Sequence, residues 1–242
     1  MTASSAAPEI IPGPVLDYYL SQGYYRMHQD LFTCQFLPIA GGFYTVHWLR
    51  VVLAEVQFGP AQRRLLRLNE QFTSTLRPFR LSDEYENLYA RYRAAIDFDA
   101  PETVEAFTLA GARHNAFPSG VIELRDGPRL IAVGIFDAGQ RSLAGIMNFY
   151  DPDYRRHSLG KYLMLLKINF ARQQGMTHYY PGYLVQGYPK FDYKLFAGPA
   201  ATEVFDSMRG YWLPFNWAAV NHHSAELLTA WQERENELED QE

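Results

Sequence analysis

The chemistry-bearing residues of this chain crowd into one segment, 149–194, where Arg155, Arg156 and His157 stand directly before an amphipathic run and Lys190 and Lys194 follow it among tyrosines. Leu159, Leu163, Leu166 and Phe170, with Tyr162 and Leu165 beside them, recur at helical spacing and form an apolar stripe. Arg172 falls in the last turn and Gly175 just beyond it, where a cation and a left-handed residue are favoured. The spacing therefore predicts a helix from near residue 158 to near 174, with the Ser158 hydroxyl capping a backbone N–H. Unpaired N–H groups, the helix dipole and three basic side chains would then converge on Ser158, Leu159, Gly160 and Lys161, a spot suited to a phosphate. The other reading of the basic residues is a solvated turn.

Other groups offer weaker signals. His157 and His178 flank the segment, but one base without a partner does not define a site. His222 and His223 lack further ligands at metal spacing, and no metal is expected. Cys34, the sole cysteine, sits in an apolar stretch and reads as a buried thiol. It excludes an internal disulfide.

Elements that must position these residues can be read in order. Residues 1–13 are rich in Ala, Ser and Pro and are expected to be disordered. Val15 to Leu20 reads as a short helix ending at Gly23. Arg26 to Phe36 and Tyr44 to Phe58 read as strands about Gly41-Gly42. Helices are predicted for Ala61 to Thr75, with Arg63, Arg64 and Arg67 clustered along it, for Ser82 to Ile96, and for Pro101 to Leu109. At Ser119 the pattern changes to strands: Gly120 to Leu124, Arg129 to Phe136 and Ser142 to Tyr150, joined by turns at Asp126-Gly127 and Asp137 to Gln140. After the helix, Thr177 to Val185 resumes as a strand beside the last of these, Tyr211 to Phe215 can add another, and His223 to Glu239 a terminal helix. This divides the chain into a disordered segment 1–13, an N-terminal α/β region 14–115, an acetyltransferase-like domain 116–220 and an acidic C-terminal helix or tail 221–242. The fold class expected is α/β (α+β), a mixed sheet with flanking helices. Strand, strand, strand, helix, strand is the core order of the acetyltransferase-like (GNAT) fold, in which a donor lies between two splayed strands.

Composition agrees with an ordinary globular protein: 242 residues, 48% hydrophobic and 20% charged. No stretch approaches a membrane span, and MTASSAAPEIIPGP has neither a charged lead nor an apolar core segment, so a cytoplasmic protein is expected. The net charge of −5 argues against broad nucleic-acid binding, and no DNA partner is expected. Its distribution matters more than its sum. Residues 233–242 hold six acidic residues and one basic, whereas residues 151–194 hold seven Lys or Arg against three Asp. A local positive face is compatible with tRNA and equally with a phosphorylated donor such as coenzyme A.

The sequence resembles the arginyl-tRNA protein transferases and their bacterial leucyl-transferring relatives, which attach an amino acid to protein N-termini in the N-end rule. The resemblance is carried by Asp151-Pro152-Asp153-Tyr154, Ser158-Leu159-Gly160 with Tyr162, Tyr179-Tyr180 with Gly182-Tyr183, and Lys190 with Tyr193-Lys194. Upstream, Phe58 to Asn69 is similar to the family's Gln-Arg-Arg segment and Gly23-Tyr24-Tyr25-Arg26 to its N-terminal entry, so the likeness spans roughly residues 15 to 215. It implies transfer of arginine or leucine from charged tRNA to an acceptor α-amine, without metal or covalent intermediate. It places Tyr180, Tyr183, Tyr193 and Lys194 at the reaction. Arg155, Arg156, Ser158, Leu159, Gly160, Lys161 and Lys190, with Arg63, Arg64 and Arg67, would lie on the donor and its tRNA.

Departures from the family pattern limit what the likeness implies. One cysteine cannot supply the iron-sulfur cluster associated with the family's N-terminal cysteines, so no cofactor is expected. Lys167 stands where an acidic residue is expected, and Tyr188-Pro189-Lys190-Phe191-Asp192-Tyr193-Lys194 lacks the cysteine before the proline. Two alternatives stay open: an N-acetyltransferase taking acyl-coenzyme A as co-substrate, although its usual loop has two glycines where Arg156 to Lys161 has one, and a non-catalytic relative that binds tRNA or protein N-termini.

Overall fold

The structure is a computed structural model that describes residues 10–39 and 41–239. Most of the segment expected to be disordered, residues 1–9, lies outside the described residues, as do residues 240–242 of the acidic tail. Helix α1 spans Gly13–Ser21, so the last residue of that N-terminal segment is helical. A short hairpin follows, β1 (Tyr25–Met27) and β2 (Asp30–Phe32), then β3 (Phe36–Ile39) and the long β4 (Gly42–Val52). Helix α2 (Pro60–Asn69) ends earlier than its leucine spacing suggests, because residues 73–78 leave it as strand β5 (Thr73–Pro78). Helices α3 (Asp83–Ala94) and α4 (Val104–Thr108) lead into the meander β6 (Ser119–Asp126), β7 (Arg129–Ala138) and β8 (Ser142–Tyr150). After a 3₁₀ turn, Pro152–His157, come α5 (Leu159–Gln173), β9 (His178–Val185), a 3₁₀ segment Pro189–Ala197, β10 (Thr202–Asp206), β11 (Tyr211–Pro214) and α6 (Trp217–Glu239).

Eight strands lie in the order β11-β10-β4-β9-β8-β7-β6-β5, and β3 pairs with β4 as a ninth. The sheet takes strands from both sides of the composition shift at Ser119, since β5 pairs β6 and β4 pairs β9. Every contact in it is antiparallel except β8 with β9. That pair, with α5 as the crossover between its strands, is the core of the acetyltransferase-like fold, and the mixed α/β architecture read from the sequence is the one observed.

Local sequence explains the helices. Ser82 caps α3 through its side chain, accepting from the Tyr85 N–H, as its sequence position suggested. Gly175 takes φ +69° just after α5 and lets the chain turn back. Leu159, Leu163, Leu165 and Ile168 are fully buried against the sheet together with Leu65 of α2. On the opposite face Tyr85, Leu88 and Tyr89 of α3 and Val104 of α4 pack on Val121, Val133 and Phe149.

The parallel ladder is short. It runs only through Ser142↔His178, Leu143↔Tyr179 and Ala144↔Tyr180. The next residue of β9 is Pro181, which has no N–H to give, and Gly182 follows at φ +101°, outside extended geometry. The two strands diverge there into a fork. Tyr25 closes its apex, its hydroxyl reaching both the Gly145 and the Tyr180 carbonyls, the latter at 3.1 Å. Burial holds that phenol well above its usual pKa, so it remains a donor. Replacing Tyr25 with Phe leaves two carbonyls without this donor and should cost about 1–3 kcal/mol in urea unfolding. An unchanged midpoint would mean that the fork is held elsewhere.

Candidate active site

Beyond Ala144 the facing edges of β8 and β9 border a groove of two adjoining lobes. The outer lobe, about 550 Å³, is lined by Arg155, Ser158, Gly160 and Lys161 at one end and by Tyr92, Phe98, Tyr150 and Lys190. The inner lobe, about 610 Å³, lies under the β1-β2 hairpin and is lined by Tyr25, Arg26, His28, Tyr179, Gly182 and Lys194. Ile146, Met147, Asn148, Tyr183 and Tyr193 border both.

The phosphate spot is built differently from the sequence expectation. Ser158 does precede α5, but its backbone is left-handed at φ +48° and its side chain makes no capping bond. The hydroxyl cap is therefore corrected: Ser158 is exposed on the groove wall, and its N–H is engaged by the Arg155 carbonyl at 3.2 Å. Consecutive side chains of a 3₁₀ turn point about a third of a revolution apart, so the three basic residues separate. Arg155 faces the outer lobe. Arg156 faces a different hollow beside Asp126, Arg129 and Asp153. His157 is buried, its ring at 3.1 Å from Asn69 Oδ1. Leu159 is fully buried in the core and cannot touch a ligand, whereas Gly160 and Lys161 do line the groove, with Lys161 4.9 Å above the Phe196 ring.

Of the four residues expected at the reaction, three meet. Tyr183 and Tyr193 stand where the lobes join, Tyr193 45% exposed. Desolvation pushes the Tyr183 hydroxyl up to about 12, so it acts as a neutral donor. Lys194 is buried, its Nζ donating to the Tyr183 carbonyl at 2.9 Å and lying 4.4–5.4 Å from the Phe191, Tyr183 and Tyr193 rings. It makes no ion pair among the described residues. Desolvation lowers its pKa to about 7, and the ring faces oppose that shift only in part. Tyr180 is corrected: side chains alternate along a strand, and it packs instead with Leu16, Leu20 and Phe117 behind the sheet, against Trp212. Lys190 lines the outer lobe but is engaged with Asp97 at 3.2 Å and lies over Phe98. Arg63, Arg64 and Arg67 are exposed on α2 outside the groove. The helix start is tied to the 3₁₀ segment 189–197, since Gln62 donates to the Phe196 carbonyl at 2.7 Å.

Sequence reasoning missed Tyr25, Arg26 and Asn148. The Arg26 guanidinium is satisfied by Asp137 at 3.0 Å, the Thr108 carbonyl at 2.6 Å and Asn115 at 3.0 Å, and so fastens the hairpin roof to the end of β7. Partners so far apart in sequence leave no local pattern. Pro181-Gly182 inside an otherwise apolar strand was the one local mark of a broken ladder.

A family model described as "Arginine-tRNA-protein transferase, C terminus" matches residues 84–202, which include the whole fork. An aspartate/glutamate leucyltransferase of Hahella chejuensis is 31% identical over 165 residues, covering 66% of this chain and 69% of that one. The chain belongs to the family of this leucyltransferase. A second aspartate/glutamate leucyltransferase, from Stenotrophomonas maltophilia, is 28% identical over 169 residues, and the match spans 66% of each chain, about two thirds of that relative's length. Among solved structures, the ribosomal-protein-S18-alanine N-acetyltransferase of Escherichia coli is similar at 18% identity and a TM-score of 0.31, covering 43% of this chain and 63% of that one. The strand order and the fork, not that likeness, carry the fold. No helix among the described residues is long and apolar enough to cross a membrane.

The electrostatics of this family member can be checked without substrate. Lys194 and Lys167 each have a folded pKa of about 7, below the ordinary 10.5. Between these values the unfolded chain binds more protons, so stability rises with pH; the penalty is fully present below 7. Each lysine contributes up to about 1.4 kcal/mol per pH unit. Unfolding in urea at pH 7 and pH 9 should show this increase, and Lys194→Met should remove part of it. The same slope in the variant would show that Lys194 keeps an ordinary pKa.

Proposed function

We propose that the chain transfers leucine from charged tRNA to the α-amine of polypeptides that begin with Asp or Glu. The observation that carries this reading is Lys194, a buried amine with no ion pair among the described residues, lining the inner lobe beside Tyr183 and Tyr193 where the lobes join. The family supplies the reaction class, and the names of the leucyl-transferring relatives suggest the donor and acceptor. The groove supports leucine over arginine. Tyr92, Phe98, Pro101, Phe107, Ile146 and Met147 make the lining largely apolar, and Asp99, the acidic residue among those that line it, is exposed. An arginyl donor would call for a buried carboxylate partner.

In this reading the aminoacyl end of the tRNA enters the outer lobe, with its phosphates toward Arg155, Lys161 and the first N–H groups of α5. The exposed Arg63, Arg64 and Arg67 continue the basic surface from the groove rim toward the tRNA body. The acceptor enters under the hairpin, its acidic first residue toward His28, since the donors of Arg26 are already taken. The fork holds ester and amine in contact, which is most of the catalysis required. The acceptor nitrogen attacks the ester carbonyl and a C–N bond forms. Neutral Lys194, with one N–H held by the Tyr183 carbonyl, takes the proton lost by that nitrogen and returns it to the ribose oxygen as the C–O bond breaks. Tyr183 and Tyr193 hold the ribose end of the donor. No cofactor is called on, and the enzyme works in the cytoplasm, where charged tRNA is supplied.

Purified protein should label an Asp- or Glu-initiated peptide with leucine from leucyl-tRNA. The rate should rise with pH through about 7, and Lys194→Met should lower kcat on the order of 100-fold while the fold is kept. Acetyl transfer from acyl-coenzyme A without tRNA would instead support the alternative donor. Binding of tRNA without transfer would mark a non-catalytic relative.

A further inference from the structure

We infer that the side-chain amide of Asn148 donates the hydrogen bond that stabilises the oxyanion formed in this transfer, and that Lys167 is the positioning residue that aims it. The inference rests on the aminoacyl-transfer reading and assigns a role that neither residue has by resemblance.

Lys167 belongs to the core face of α5 and is fully buried. Its Nζ hydrogen-bonds to three oxygens: the Ile135 carbonyl at 2.6 Å, Asn148 Oδ1 at 2.8 Å and the Met147 carbonyl at 3.4 Å. Asp137 is the carboxylate that acts on it, from beyond contact. A buried amino group is costly unless its donors are used, and here the two near acceptors, the Ile135 carbonyl and Asn148 Oδ1, take the two N–H bonds that the amine keeps in either protonation state. Two features of the sheet make the room. A register shift skips Ile146, so that Ile135 faces Met147 while Phe136 faces Gly145. Gly134 lies opposite Asn148, and a Cβ there would come within 3.0 Å of Asn148 Oδ1 and 3.1 Å of Lys167 Cε.

The consequence is directional. A donor pointing at Asn148 requires the amide oxygen on that side, so the NH₂ group faces the other way. Asn148 borders both lobes, on the edge of β8 that has left β9. One amide N–H points toward the Gly160 carbonyl at a long 3.4 Å. The second is available to the groove where donor and acceptor meet. When the ester carbonyl becomes tetrahedral, its electron pair moves onto oxygen, and a fixed neutral donor there stabilises the charge without reorganising. The pair collapses back as the ribose oxygen leaves, and Asn148 exchanges no proton.

Asn148→Asp keeps the shape, exchanges the donor for an acceptor and can pair with Lys167, so it should fold. It should lower kcat for leucine transfer by about 100-fold with little change in KM. Lys167→Met should lower kcat by roughly 10-fold, and the same change in an Asn148→Ala background should add nothing, because a positioning residue has nothing left to aim. Losses that multiply, or an Asn148→Asp enzyme with native kcat, would overturn the inference. A readout without turnover uses protein carrying nitrogen-15 in asparagine and 3′-leucylamido-adenosine, which cannot be transferred. The Asn148 Nδ2 signals should shift with the analogue in the native protein and not in Lys167→Met. An analogue that binds without moving them refutes the assignment and leaves the transferase reading intact. Native protein that neither binds the analogue nor uses leucyl-tRNA removes that reading and this inference with it.

Discussion

The structure depends on the early end of one parallel ladder. After Ala144↔Tyr180, β9 reaches Pro181, which cannot donate, and Gly182, whose φ of +101° turns the strand away. A sheet otherwise complete on both sides of this point thus acquires two open edges in its interior. An unpaired buried backbone group costs about 1–3 kcal/mol, so such a fork persists only where other groups answer it. Tyr25 reaches two carbonyls at the apex and Lys194 takes the Tyr183 carbonyl further out. The remaining edge is what a ligand can use.

The same break decides which tyrosines can do chemistry. Before the fork, Tyr179 and Tyr180 alternate in the ordinary way, one toward α5 and the groove floor, the other into the layer beneath α1. After it, Tyr183 stands at the junction of the lobes, against Trp48 and Phe191. Tyr180 and Tyr183 are interchangeable as letters in a motif but not as positions on a strand. The hairpin roof has a comparable logic: Arg26 spends its donors on Asp137, Thr108 and Asn115, so a cation lining the inner lobe serves first to hold the lobe closed.

Much of this architecture was legible in the sequence because it is local. The α5 stripe, the Gly175 stop, the Ser82 cap and the Asp126-Gly127 hairpin each state their geometry within a few residues, and each is present. What was not legible is set by distant partners. Strand β5 follows a helical leucine pattern and is a strand because the edge of β6 accepts it. The three basic residues before α5 looked convergent on the assumption of a simple turn, and a 3₁₀ geometry with a left-handed Ser158 dispersed them. Tyr25 was marked only as part of the Gly23 to Arg26 likeness, with no role, and Asn148 not at all, since their partners lie across the sheet and the fork is a property of two strands together.

Two fully or nearly buried lysines without an ion pair among the described residues are an unusual expense for one domain. Met at either position would keep the volume and remove the desolvation penalty, so stability alone does not explain them. Each instead gives its N–H groups to oxygens on the walls of the same groove, Lys194 at the Tyr183 carbonyl and Lys167 at Asn148. A carboxylate partner would hold either as a permanent cation. Without one, Lys194 can exchange a proton near neutrality. At Lys167 the pKa is lowered as far, and it is the N–H bonds given to the Ile135 carbonyl and Asn148 Oδ1 that matter. Burial lowers both amines to about 7, and what separates them is the surroundings of each nitrogen: aromatic faces and one carbonyl around Lys194, carbonyl oxygens around Lys167.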